Sequence, residues 1–333
     1  MARETRSRDD PRTWIDDPAV APVMPAKRSK FRAWIVAVAV TGVCVAAVGY
    51  TGVSIKVADR LSSGNHKPLG ALASSISSRF EAVAFASRVD HVALKGWLFR
   101  SPNSTGRSAI LVHGHNQNRV NQDYGAPALT RNLLAHGFDV LLFDLRGSGV
   151  SGGRRSTLGT LEPRDLLGAH DFMRGRGYRP PRMAIIGDSM GAATTLEAAP
   201  QLSDVGALVV DSAYAELRPL LDASLPKNSH LPAFFNWGIE TAATVLDDTN
   251  ANLRPVDAVR SQPSRAFLFF QGLSDSTVPP EQGDELRKAS TNPESLLVTI
   301  PGAEHVKSFR TQPDLYLRVL YQFLDQQFAE RAG

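Results

Sequence analysis

The stretch that most constrains this chain is Met183–Gly191, MAIIGDSMG. Its apolar residues run directly into Gly187-Asp188-Ser189-Met190-Gly191. A stripe at helical spacing then follows, Met190, Ala193 and Leu196, until Pro200 closes it. A strand that becomes a helix in so few residues leaves no room for a side chain at either glycine. Such a turn lifts the Ser189 hydroxyl into the open. Whatever fold the chain adopts must hold a strand, a tight turn and a helix with a serine at the apex.

The pattern around this unit is repetitive in kind. Phe80–Phe85 and Val92–Phe99 read as an antiparallel pair of strands. Ile110–Val112, Val140–Phe143, Ala184–Ile186, Leu208–Val210, Ala266–Phe270 and Leu296–Ile300 are apolar at nearly every residue, which suits strands buried on both faces. Helical stripes lie between them: Leu129, Leu133 and Leu134 before Gly137, then Leu166, Ala169 and Met173 before Gly175. A last one holds Tyr316, Val319, Leu320, Phe323, Leu324 and Phe328. Strands alternating with helices predict an α/β fold, a mostly parallel sheet with helices on both faces. In such sheets ligands meet the carboxyl ends of the strands.

A serine hydroxyl is a weak nucleophile without a base. Of eight histidines, only His305 lies beyond the last predicted strand, in Gly302-Ala303-Glu304-His305. Asp275 follows the strand Ala266–Phe270 in Gln271-Gly272-Leu273-Ser274-Asp275, with Val278 and Pro279 stiffening the loop after it. The expected roles are Ser189 as nucleophile, His305 as base and Asp275 as the acid that orients the imidazole. Asp211, at the end of Leu208–Val210, competes for the acid's role. An oxyanion needs two donors. The Met190 N–H at the start of a helix is one candidate, and the loop His113-Gly114-His115-Asn116 supplies the other, assigned to the His115 N–H.

With these residues in order, the segments ILVHGHNQNR, FDLRGSGVSGG, IIGDSMGAATT, FFQGLSDSTVP and GAEHVKSF resemble the α/β-hydrolase superfamily, closest to its membrane-anchored, serine-aminopeptidase-like branch. The resemblance spans about residues 77–330. It implies an α/β-hydrolase fold with Ser189, Asp275 and His305 as the triad and His115 in the oxyanion loop. Gln271 departs from the His common before that glycine. The implied reaction is cleavage of an ester or related acyl bond in a small or lipid-like substrate. Peptidase or amidase action, or an idle binding module, are the alternatives.

Two other patterns carry less. Gly147-Ser148-Gly149-Val150-Ser151-Gly152 spells a dinucleotide-type glycine motif, but that motif must open a helix at once. No helical stripe begins here until after Glu162, so a structural loop is expected and no cofactor. His113 and His115 could be metal ligands, yet no third ligand lies nearby with clear spacing, and a structural His113 is expected. Asp144 and Asp188 read as local hydrogen-bonding residues. Residues 213–262 exceed an ordinary connection. They are read equally as a small cap over the site or as an added helix on the core.

Ala33–Ile55 carries no charge. As a helix it spans about 34 Å, enough to cross a bilayer. It starts too late and runs too long for a cleaved signal peptide, and it shows no polar face. Lys27, Arg28, Lys30 and Arg32 precede it, which predicts a cytoplasmic N-terminus and an extracytoplasmic domain. The expected organisation is therefore a disordered tail over 1–32, a transmembrane helix over 33–55, a stalk over 56–76 and the catalytic domain over 77–333. Of the net charge of +4, residues 1–32 supply +3, from eight basic and five acidic residues. The remainder has no basic excess of the kind nucleic-acid binding requires. The lone Cys44 forbids an internal disulfide.

Overall fold

The computed structural model describes residues 30–330. Most of the expected N-terminal tail lies outside that range. The chain divides into two compact units at Tyr50/Thr51, within the first helix, α1 (Lys30–Ser62). Residues of α1 up to Gly49 are exposed, and the helix is long and apolar enough to cross a membrane. The helix does not stop at Ile55. It continues through Lys56 to Ser62, and within the second unit Ser54, Ala58 and Ser62 form a buried face of small residues. Beyond it, Ser63 bridges to Arg155 and Asn65 to Ser148. The first part of the expected stalk is thus helix packed on the domain, because small residues recur every fourth position and let the backbone approach closely.

The second unit holds one eight-stranded sheet in the order β1-β2-β4-β3-β5-β6-β7-β8. The strands are β1 (Phe80–Ala86), β2 (Ala93–Phe99), β3 (Arg107–Val112), β4 (Phe138–Asp144), β5 (Met183–Asp188), β6 (Ala207–Asp211), β7 (Phe267–Gly272) and β8 (Leu296–Ile300). β1, β2 and β4 pair antiparallel, and from β4 to β8 every pairing is parallel. Every expected strand is present.

Strand residues alternate between two cores. Ile110, Val112, Ile185, Val210 and Phe269 face one, with α3 (Glu162–Gly175), α4 (Met190–Ala198) and α8 (Pro280–Ala289) over them. Leu111, Ala184, Ile186, Val209 and Phe270 face the other, covered by α2 (Ala126–Ala135) and α10 (Pro313–Glu330). This is why the central runs are apolar at both parities. The exception is β8. It forms the sheet edge and is largely half-exposed, Leu296 at 43%, so its apolar run does not mark double burial.

Residues 213–262 form α5 (Leu217–Ser229), α6 (Asn236–Asp247) and α7 (Pro255–Arg260). α7 packs on α4 and α8, whereas α5 lines a cavity beside Ser189. The segment is in part a core helix and in part a wall of the site.

The tight turn has the sterics its sequence demands. A Cβ at Gly191 would fall on the Val112 carbonyl, and one at Gly187 would fall on the Gly191 carbonyl and within 2.7 Å of Thr195 Oγ1. At Gly175, near the end of α3, nothing lies within 4 Å of an added Cβ. Gly191→Ala should therefore cost about 3 kcal/mol or more, as overpacking against unyielding backbone does. Gly175→Ala should be neutral or slightly stabilising. Thermal unfolding of both variants in detergent tests this, and equal melting temperatures would refute the steric account.

Candidate active site

Ser189 sits between β5 and α4 with φ 52° and ψ −118°. That conformation is uncommon for a residue with a Cβ. It is held by backbone on both sides: Ser189 N–H donates to the Asp211 carbonyl at 2.9 Å, and Ala193 N–H to the Ser189 carbonyl at 3.0 Å. The strain is offset by these bonds and by the collision-free packing of Gly187 and Gly191, so the side chain stands at the carboxyl end of the sheet.

Asp275 and His305 come from the loops after β7 and β8, and those loops are tied to each other. Leu273 N–H donates to the Ile300 carbonyl at 3.0 Å and Ser274 N–H to the Ala303 carbonyl at 2.9 Å. A Cβ at Gly272 would collide with the Ala303 carbonyl. Gly272 thus serves close approach between two loops, and its carbonyl also accepts from Asp275 N–H at 3.4 Å across a turn. Asp275 Oδ1 accepts from the N–H groups of Thr277 and Val278 at 2.9 and 2.8 Å. Its Oδ2 lies 2.8 Å from His305 Nδ1. His305 Nε2 lies 2.9 Å from Ser189 Oγ. With Nδ1–H donated to the carboxylate, Nε2 is left as acceptor for the serine hydroxyl. Three residues separated widely in sequence thus stand in one hydrogen-bonded line.

Asp211 is not in that line. Its Oδ1 accepts from Ser308 Oγ at 2.8 Å and Ser212 Oγ at 3.1 Å. Its Oδ2 has no partner among the described residues. Burial raises its carboxyl to about 7, the two serine hydroxyls opposing the shift. Asp188 is likewise buried and raised well above the usual range, by burial first and by the charge of Asp211 next.

The loop after β3 lies directly against the serine. A Cβ at Gly114 would stand 3.1 Å from Ser189 Cβ. Gly114 N–H and Asn121 Nδ2 both donate to Asp188 Oδ2, at 3.0 and 2.9 Å, which pins this loop to the base of the turn. His115 lines the cavities on both sides of Ser189, and burial lowers its imidazole to about 4, so the ring is neutral. Met190 opens α4, where the first-turn N–H groups have no intrahelical acceptor. His113 is committed to the scaffold: Nε2 accepts from Leu145 N–H at 3.1 Å, so Nδ1–H donates to the Gly114 carbonyl at 2.8 Å.

The glycine-rich loop after β4 is also scaffold. Asp144 accepts from Arg119 N–H, Arg119 Nη2 and Val150 N–H at 2.7–2.8 Å. Gly149, at φ 49°, lies so close that an added Cβ would overlap this carboxylate. Gly149 thus serves a buried ion pair, whereas Gly147 and Gly152 lie against the backbone of Arg155 and Ala93.

Two cavities meet at Ser189. One, of about 470 Å3, is polar, with Gln117, Asp123, Ser274, Glu304 and Lys307 in its walls. The other, of about 260 Å3, is apolar, with Leu158, Met190, Tyr214, Leu217 and Leu221. The helix α5 and Leu61 of α1 complete its walls. Sequence reading did not find Asn121, which bonds Asp188 across the fold, or Leu61. No local pattern marks either one.

Comparison with known proteins agrees with this architecture. The chain is 27% identical to YfhR of Escherichia coli K12 over 252 residues, covering 73% of this chain and 80% of that one. It is 30% identical to Rv2307c of Mycobacterium tuberculosis over 217 residues, covering 65% and 69%. Both are described as uncharacterized. Among solved structures, the Pyrococcus furiosus esterase Pf2001 superposes with a TM-score of 0.65 at 21% identity, covering 79% of this chain and 98% of the esterase. A family model matches residues 109–319, from β3 into α10, and the chain belongs to the alpha/beta hydrolase family.

Proposed function

We propose that the chain is a serine hydrolase that cleaves a carboxylic ester through an acyl-enzyme. The observation that carries this reading is the line from Asp275 through His305 to Ser189, with both hydrogen bonds under 3 Å. Ser189 Oγ attacks the ester carbonyl carbon while its proton passes to His305 Nε2. The tetrahedral oxyanion is met by the Met190 and His115 N–H groups. On collapse the alcohol leaves with the proton from His305. Water, deprotonated by the same nitrogen, then hydrolyses the acyl-serine, releasing the acid and restoring Ser189. Asp275, held by two backbone N–H groups, fixes the Nδ1–H tautomer and stabilises the imidazolium. The esterase named among the structural relatives supports an ester over an amide. Within the family, the chain fits a membrane-anchored branch, with α1 as the anchor.

Ser189→Ala should abolish labelling by a fluorophosphonate probe in a protein that keeps its melting temperature. Labelling that persists in the folded variant would move the nucleophile elsewhere.

The two acids are separable. Asp275→Asn should lower kcat for a p-nitrophenyl ester by about 10⁴-fold, the scale on which loss of the orienting acid acts in serine proteases. Asp211→Asn should cost far less, because Asp211 bonds Ser308 and Ser212 and not His305. The reverse ranking in two equally stable variants would transfer the acid's role to Asp211.

The basic cluster Lys27–Arg32 supports an inside N-terminus with the hydrolase outside. Protease added to intact cells should digest the domain and spare an epitope placed before Lys27. Protection of the domain until lysis would reverse the topology.

A further inference from the structure

We propose that the substrate is a long-chain acyl ester of an uncharged alcohol resident in the bilayer, its acyl chain reaching Ser189 through the cleft between the last turns of α1 and α5. This rests on the serine-hydrolase reading above and on α1 as a membrane anchor.

The two sides of Ser189 differ in chemistry. The apolar cavity of about 260 Å3 does not end at the catalytic line. It shares Leu61, His115, Ser224 and Asn228 with a second cavity of about 430 Å3, which runs on along Val57 and Arg60 of α1 and Leu225 of α5. Val57 and Leu61 are one helical turn apart, so both side chains face the same cleft. They lie two and six residues beyond Ile55, where the charge-free stretch ends. At 1.5 Å per residue, that places them about 3 and 9 Å further along the helix axis. A hydrocarbon chain leaving the edge of the bilayer would therefore meet the mouth of the cleft within two turns of α1. Val57, Leu61 and Leu225 give the outer cavity an apolar side beside the polar Arg60, Asn116 and Ser229, and a concave route with such a side leading into the apolar inner cavity suits an aliphatic chain.

A second observation lies on α6. Trp237, Val245 and Leu246 are 70%, 76% and 54% exposed. α6 is buried along one side, and Trp237 and Val245, about 80° apart on its outer side, are large apolar side chains of the kind that suit contact with a lipid interface. The end of α6 is tied to the end of α1. Ser62 Oγ donates to Asp247, and Arg155 pairs with both Asp59 and Asp247. The exposed apolar residues thus occur on the helix joined to the last turn of the anchor.

The alcohol side completes the reading. In the polar cavity Glu304 engages Lys307, and Asp123 accepts from Gln117. With two carboxylates against one ammonium among these wall residues, a phosphate group would meet net repulsion, whereas hydroxyl groups find donors and acceptors. Attack by Ser189 would leave the chain in the apolar cleft as acyl-serine and release the alcohol, protonated by His305, into the polar cavity. Water then frees the fatty acid.

The test uses the full chain in phosphatidylcholine vesicles, with butyryl-, decanoyl- and palmitoyl-glycerol as substrates. For the wild type, kcat/KM should rise with acyl length. Val57→Trp and Ser229→Trp fill the outer part of the cleft at half-buried positions that do not wall the cavity at Ser189. Each should leave butyryl turnover within about twofold and lower palmitoyl turnover by about tenfold or more, the scale on which an apolar pocket discriminates. Palmitoyl-glycerol phosphate should be a poorer substrate than palmitoyl-glycerol. A flat length profile, equal losses for short and long chains in variants of unchanged melting temperature, or preference for the phosphate ester would overturn the proposal while Ser189 still reacts with a fluorophosphonate. If no ester is hydrolysed and Ser189 does not react, the serine-hydrolase reading falls, and the acyl route falls with it.

Discussion

The carbonyl oxygen of Val112 occupies the space in which residue 191 would begin a side chain, and the carbonyl of Gly191 does the same to residue 187. β3, β5 and α4 can come this close only because both positions lack a Cβ. From that packing the rest of the site follows. It forces the left-handed φ at Ser189 and brings Gly114 against the serine. It also lets the Ser189 amide reach the Asp211 carbonyl on the neighbouring strand. A serine so placed is fixed by backbone, and no side-chain rotamer has to be frozen to expose it.

The partners of the serine are fixed differently. Asp275 and His305 stand on loops, which are ordinarily the most mobile parts of a domain. Here the two loops share backbone hydrogen bonds, so Asp275 and His305 are carried on one mechanical piece. Beneath them lie Asp188 and Asp211, whose carboxyls burial pushes upward. Asp188 spends its Oδ2 pinning Gly114 and Asn121. Asp211 spends its Oδ1 on Ser308, beyond His305, and on its neighbour Ser212, whose Oγ also accepts from Val306 N–H. Both work as anchoring points for loops that surround the serine, their side-chain bonds going to Gly114, Asn121, Ser212 and Ser308.

How much of this could be read from the chain depended on the range of the interaction. The strand–turn–helix around Ser189 is local and was fully legible. So were the central strands, whose residues of both parities are apolar because each strand faces two cores. His305 and Asp275 were legible through chain order and their positions at strand ends. The edge position of β8 was not, since burial of an apolar run depends on what lies beside it. The end of the first helix was misplaced for a related reason. Charge marks where a helix leaves hydrocarbon, but Ser54, Ala58 and Ser62 continue as helix because a folded surface receives them. Leu61 and Asn121 act across the fold, on Ser189's cavity and on Asp188, and nothing in their own neighbourhoods announces it.

That reception of the last turns of α1 by the domain gives a cut after residue 62 a structural meaning. Ser62 and Asp59 engage Asp247 and Arg155, and Ala58 belongs to the main core. Leu61 is a wall of the cavity at Ser189. A fragment cut after residue 62 would therefore lack part of the packing of its own domain. It would expose core surface at Ala58's seat, strip Asp247 of a buried partner and open the apolar cavity to water. Loss of α1 would change the shape of the cavity beside Ser189.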